Sequence, residues 1–146
     1  MLVSITRLRV RSIRYYAAFM LQAFRSGGQV SRAPGFLGGA LLPDRNWAFW
    51  TMTGWDSLES MRAYMMTGAH KDAMPKLAHW CDEASVVHWE QATGDLPNWT
   101  EAEARMRREG RPSKVRHPGP HHQGLNFPSP RSGLATPIAP ARRDIQ

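Results

Sequence analysis

Cysteine is nearly missing: Cys81 is the only one in 146 residues, so no intrachain disulfide can form and nothing points to an oxidising compartment. Long apolar runs are missing too. The nearest is Tyr15-Tyr16-Ala17-Ala18-Phe19-Met20-Leu21 behind Arg7, Arg9, Arg11 and Arg14, which imitates the outline of a signal peptide. Gln22 and Arg25 cut it short, no small-x-small cleavage site follows, and it falls well below the roughly 20 apolar residues that span a bilayer. The expectation is a soluble, cytoplasmic chain with no membrane span. No Gly-rich phosphate loop, nucleophile elbow or His-Glu-x-x-His motif is present, which argues against nucleotide, serine-hydrolase and metalloprotease sites. A basic stripe is also lacking over most of the chain. Residues 1–95 hold ten Lys and Arg against eight Asp and Glu, and residues 96–146 hold nine against four, so most of the net +7 lies in the tail. Such a tail can touch a polyanion without sequence specificity, but no specific nucleic-acid partner is expected.

What is present is a dense run of elements. Residues 47–53, Trp-Ala-Phe-Trp-Thr-Met-Thr, read as a β-strand that is apolar at both parities, so both of its faces should be covered. One small sheet backed by two helices covers one face. The other is expected against a partner subunit or around a ligand.

The remaining elements follow from periodicity and punctuation. Residues 2–9 make a first strand. Ser12 can cap a helix from Ile13 to about Arg25, in which Tyr16, Phe19, Met20 and Phe24 recur at helical spacing and which Gly27-Gly28 should stop. Residues 36–42 make a strand in which Gly38-Gly39 suggests a bulge or a close backbone approach, and Pro43-Asp44-Arg45-Asn46 turns it into the 47–53 strand as a hairpin. Asp56-Ser57-Leu58-Glu59 opens a second helix with Leu58, Met61 and Met65 on one side. Gly68 permits a break, and Pro75 fits the first position of a further short helix carrying Leu77 and Trp80. Residues 84–91 form a fourth strand through Val86, Val87 and Trp89. The order β-α-β-β-α-β is an α+β, ferredoxin-like arrangement, assigned to residues 1–93. Residues 94–122 read as an extension whose short helix is capped at Asn98, striped by Trp99, Ala102 and Met106, and packed on the domain or its partner. Residues 123–146, basic and Pro-rich with few large apolar side chains, are expected to be disordered.

The run Phe49-Trp50-Thr51-Met52-Thr53-Gly54-Trp55-Asp56-Ser57, then Met61-Arg62-Ala63-Tyr64, then Gly68-Ala69-His70 resembles the strand–helix–His signature of antibiotic-biosynthesis-monooxygenase-like proteins. The resemblance covers roughly residues 2–91. It implies a homodimer whose two sheets close into one α+β barrel, with a small-molecule pocket between sheet and helices. A remoter similarity is to spheroidene-monooxygenase-like haem proteins, which share the Phe-x-Thr strand and the Trp before the helix. Haem-degrading members of the superfamily carry an axial His on this helix with an aromatic residue upstream. That resemblance gives His70 the role of metal ligand if haem is bound, and gives Tyr64 the aromatic position.

The residues themselves leave His70 open among three roles: haem ligand, structural imidazole bonded to a backbone carbonyl, and general acid–base. Tyr64 can donate a hydrogen bond to substrate or simply pack at a helix edge. Phe19, Trp50, Trp55, Met61, Met65 and Met74 can line a hydrophobic ligand pocket or fill a core. His79 and His88 have no metal-site partners at suitable spacing, and the cluster His117, His121 and His122 can capture a metal ion or belong to a low-complexity tail. The function expected is that of a monooxygenase-like enzyme acting on a hydrophobic small molecule, haem-assisted through His70 or free of cofactor. The rival is a non-catalytic dimeric protein that binds a small molecule or haem in the same pocket.

Overall fold

Leu2–Val10, rich in β-branched and apolar residues, forms the central strand β1 of a sheet in the computed structural model, which describes residues 1–142. β1 is flanked by β3 (Ala48–Trp55) and β4 (Cys81–Glu90), and β2 (Phe36–Pro43) pairs with β3. All these pairings are antiparallel, Ile5 standing between Met52 and Val87. Two short strands, β5 (Arg111–Pro112) and β6 (Thr136–Ile138), complete the order β5-β4-β1-β3-β2-β6. With α1 (Tyr16–Arg32), α2 (Leu58–Met65) and α3 (Gly68–Trp80) between them, the four main strands keep the ferredoxin-like order.

Strand alternation sorts the core into two layers. On one face Leu2, Phe36 and Trp55 pack with Val30 and Met61, while Val10, Phe49 and Cys81 pack with Phe19, Leu77 and Trp80. That is the helix side. On the other face Val3, Ile5, Trp50, Met52, Val87 and Trp89 are equally buried, beneath Ala102 and Met106 of α4 (Trp99–Glu109) and beneath Phe127. Both faces of β3 are therefore covered, as its composition requires. The cover differs from the expected one: where a partner subunit or ligand was anticipated, the chain's own extension lies on the sheet. Asn98 caps α4 by accepting from the Glu101 N–H, and Trp50 meets Phe127 edge-on at 5.3 Å.

Three local expectations give way to tertiary contacts. The helix expected to stop at Gly27-Gly28 runs on to Arg32. Two glycines cost it about 1 kcal/mol each relative to Ala, and what continues it is the last turn, where Val30 is buried and Gln29 bonds across to α2 and α3. A Cβ at Gly27 would meet nothing within 4 Å. Gly27→Ala is accordingly expected to raise stability by about 0.5–1 kcal/mol, seen as a higher midpoint of urea unfolding. Pro75 lies inside α3 rather than opening a new helix; Lys71, whose carbonyl it cannot bond, is an exposed residue. β3 begins at Ala48, because Asn46 and Trp47 take left-handed conformations with φ of 58° and 60° in the turn. The expectation at Gly38-Gly39 is met: the pairing register shifts between Phe36 and Gly38, and a Cβ on Gly39 would collide with the Met52 carbonyl.

The disorder expected from residue 123 does not describe residues 123–142. Phe127 is buried, β6 pairs with Gly39, Ala40 and Leu41 of β2, and the Ala141 N–H donates to the Ser31 carbonyl at 2.7 Å. Composition underestimates this segment because one aromatic anchor and sheet-edge hydrogen bonds hold it. Residues 143–146, the end of the same expected tail, lie outside the described residues.

Candidate functional site

Ser57 caps α2 by accepting from the Ser60 N–H at 3.1 Å, which sets Met61 in the core and Tyr64 one turn later at its edge. The chain leaves α2 at Met66-Thr67 and enters α3 through Gly68, whose φ of +58° is left-handed and whose absent Cβ would press on the Gln29 amide at 3.2 Å. His70 is thereby delivered to the first turn of α3. Gln29 joins three elements: its Nε2 donates to the carbonyls of Thr67 at 2.7 Å and Tyr64 at 3.3 Å, and its Oε1 accepts from the His70 N–H at 2.9 Å. Nothing in the sequence pattern singled out Gln29, since its partners lie 35 to 41 residues away.

Trp55, Tyr64 and His70 form a continuous stack of tilted rings, inclined by 32° and 51°. The centroids of Trp55 and Tyr64 are 5.3 Å apart and those of Tyr64 and His70 are 4.8 Å apart. The Tyr64 hydroxyl donates to the Ser26 carbonyl at 3.2 Å, and burial pushes its pKa up to about 12. It is a committed donor. His70 Nδ1 lies 3.3 Å from the Met65 carbonyl. A carbonyl only accepts, so this contact assigns the proton to Nδ1 and leaves the Nε2 lone pair available. Burial lowers the His70 pKa below its ordinary 6.5, which keeps the ring neutral near neutral pH.

The sign of that shift predicts a pH dependence. A group whose pKa is lower in the folded state binds fewer protons there, so the stability it contributes is complete above 6.5 and declines as pH falls below it. His79 is shifted in the same direction, chiefly by burial, so the contribution of His70 must be isolated by substitution. The urea midpoint of the wild type is expected to fall more between about pH 7.5 and about pH 5.5 than that of His70→Gln.

Beside the stack an open cleft of about 910 Å³ runs between α1 and α2 and is lined by Arg25, Gly28, Gln29, Tyr64, Thr67 and Ala69 among others. Of the two residues expected to carry chemistry, Tyr64 lines this cleft, and none of the six expected in a ligand pocket does. Trp55, Met61 and Met65 gather behind it in the helix-side core, and Phe19 belongs to a separate cluster with Phe49. Trp50 is on the opposite face of the sheet, and Met74 is exposed. The side chains present do not fit a haem between sheet and helices. Trp55, Met61, Val30, Phe36 and Leu2 pack that space, and His70 is not among the walls of the open cleft. Among the described residues no group of three or more His, Cys, Asp or Glu is placed to hold a metal ion. His122, expected in a metal-capturing tail cluster, is buried and its Nδ1 accepts from the Ala84 N–H at 3.2 Å. Cys81 is a buried thiol whose pKa is pushed up to about 12, mainly by burial, an inert packing residue.

The family model described as a domain of unknown function, DUF3291, matches residues 18–131. The chain belongs to this family. No curated protein matches it in sequence. In fold, this DUF3291 protein is similar to a putative antibiotic biosynthesis monooxygenase from Deinococcus radiodurans, with a TM-score of 0.58 and 18% identity over 64% of this chain and 94% of that one. A second, from Nitrosomonas europaea, gives 0.54 and 18% over 64% and 100%. SnoaB from Streptomyces nogalater, described as a cofactor-independent oxygenase, gives 0.53 and 17% over 66% and 97%. At these identities the likeness is one of fold: an antiparallel α+β sheet of the antibiotic-biosynthesis-monooxygenase type. About a third of the DUF3291 chain has no counterpart in these structures. Among its described residues no helix is long and apolar enough to cross a membrane.

Proposed function

We propose that this DUF3291 protein is a monooxygenase-like enzyme that takes a hydrophobic small molecule into the cleft between α1 and α2 and needs no haem. The observation that carries the reading is Tyr64 on the wall of the cleft with the His70 ring directly behind it at 4.8 Å, the His70 proton held on Nδ1 by the Met65 carbonyl. The likeness in fold to a protein described as a cofactor-independent oxygenase supports it. A neutral imidazole fixed in this tautomer behind the cleft wall can accept a proton at Nε2 from an acidic C–H of the substrate through a bridging water. The carbanion so formed can reduce dioxygen, and the balanced outcome is conversion of a CH2 group and O2 to C=O and water. Tyr64 serves as an aromatic wall, its hydroxyl being tied to Ser26. The homodimer implied by the family resemblance would have to pair elsewhere than at the outer sheet face, which α4 and Phe127 occupy.

Dioxygen uptake by the full chain over a panel of hydrophobic polycyclic compounds that carry a CH2 acidified by flanking aryl or carbonyl groups tests this directly. Uptake with one class of compound is expected, falling about a hundredfold in His70→Gln while the circular dichroism spectrum is unchanged. A second reading, a binding protein without turnover, is favoured by the commitment of the Tyr64 hydroxyl; saturable binding with no uptake would establish it. A stoichiometric Soret band that His70→Ala abolishes would return haem to the site and overturn the cofactor-free proposal.

A further inference from the structure

The outward side of α1 and the turn before it carries Ile13, Ala17, Met20, Leu21 and Phe24 as one exposed stripe at spacings of three and four residues. Phe24 is 85%, Ile13 73% and Leu21 53% exposed. Arg14 and Arg25 lie in the same stripe and Arg32 extends it, all three exposed. No acidic residue precedes Asp44 in the chain, so α1 carries no acid of its own, and Glu59 of α2 is the one acid that lines the cleft with Arg25 and Arg32. α3 runs antiparallel beside α1, Tyr15 meeting His79 at one end and Gln29 meeting His70 at the other. It adds exposed Met74, Lys71 and Lys76 against a single acid, Asp72.

We infer that this face docks on an anionic membrane surface, with Ile13, Leu21 and Phe24 entering the headgroup–acyl boundary and Arg14 and Arg25 meeting lipid phosphates. An apolar stripe with basic residues along it is the pattern that binds such an interface. Large apolar side chains standing exposed beside basic ones suit a fluid interface that conforms to them, whereas protein partners are usually met through packed pockets. A second copy docked on the same stripe would set Arg14, Arg25 and Arg32 against the like charges of the other copy. The docking surface is separate from the catalytic proposal, although Arg25 and Arg32 also border the cleft.

Co-sedimentation of the full chain with phosphatidylcholine vesicles, with and without phosphatidylglycerol, tests the inference. Binding is expected with the anionic vesicles alone and should weaken with added salt. It should fall about tenfold in Leu21→Glu/Phe24→Glu and be reduced in Arg14→Glu. All three substituted positions are solvent-exposed, so the melting temperature should hold and report an intact fold. Absence of binding to the anionic vesicles would overturn the inference. So would undiminished binding by the double variant, which would trace the attraction to the basic C-terminal segment. Light scattering that shows two copies in the wild type and one in Phe24→Glu would assign the face to a second copy and equally overturn it.

Discussion

Trp50→Ala is expected to cost the fold roughly 3–5 kcal/mol, read as a shift in the urea midpoint followed by circular dichroism. Trp50 is 0% exposed at the centre of the outer core, between Leu42 and Met52 on the sheet and Met106 and Phe127 of the extension. Removing it leaves a cavity walled by two segments that cannot both relax into it. A total stability of about 5–15 kcal/mol makes this a large fraction of the whole. The Trp50 Nε1 is buried without a hydrogen-bond partner among the described residues. Trp50→Phe should therefore cost much less, about 1 kcal/mol, because it removes an unpaired polar group along with the volume. Because the extension lies on the sheet, Phe127→Ala should also destabilise and should couple with Trp50→Ala in a double-mutant cycle by about 0.5–1.5 kcal/mol. Additivity of the two would show that the extension does not rest on Trp50.

The second large effect is expected at Arg7, a charged residue only 3% exposed. Its guanidinium lies 3.5 Å from Glu83 and stacks 4.9 Å from the Phe127 ring centroid, while its Nε has no partner. Burial lowers the Arg7 pKa from its ordinary value, and Glu83 and Asp44 oppose the shift; a guanidinium stays a cation in proteins. Arg7→Ala removes the stem packing and leaves the Glu83 charge poorly compensated. Arg9, whose Nε is also 3.5 Å from Glu83, moderates that loss. About 3 kcal/mol of destabilisation is expected, near the lower end for breaking a buried pair. Arg7→Met should cost less by filling the space, and adding Glu83→Gln to it should recover part of the remainder by removing the stranded charge. Urea unfolding of the four proteins measures this; a double variant less stable than Arg7→Met alone would show that Glu83 is held mainly by Arg9.

Much of the site's dispersal was legible in strand parity. Trp50 and Trp55 are five positions apart on one strand, an odd number, and in a regular strand that puts them on opposite faces. Grouping them in one pocket overlooked that signal. Leu58, Met61 and Met65 do share a side and reach the same cluster. The Tyr64–His70 contact was also within reach, for a helix edge followed by a Gly68 break keeps residues six apart close together. Gln29 was not, because a Gln near the end of a helix gives no sign that its amide will hold the junction of two later ones.

By itself the sequence determined the local devices: the cap at Asn98, the start of α2 to within one residue (Ser57 caps it rather than Asp56), the β2–β3 hairpin, the strand order, and the requirement that both faces of β3 be buried. These rest on backbone hydrogen bonds and side-chain periodicity within a few residues. Only the tertiary structure decided what meets those faces. The length of α1 past Gly27-Gly28, the burial of Phe127 and the closing of the outer sheet by α4 all depend on partners distant in the chain. The hydrophobic effect that drives them is non-directional, so a sequence shows that an apolar face must be covered without showing which apolar surface will cover it.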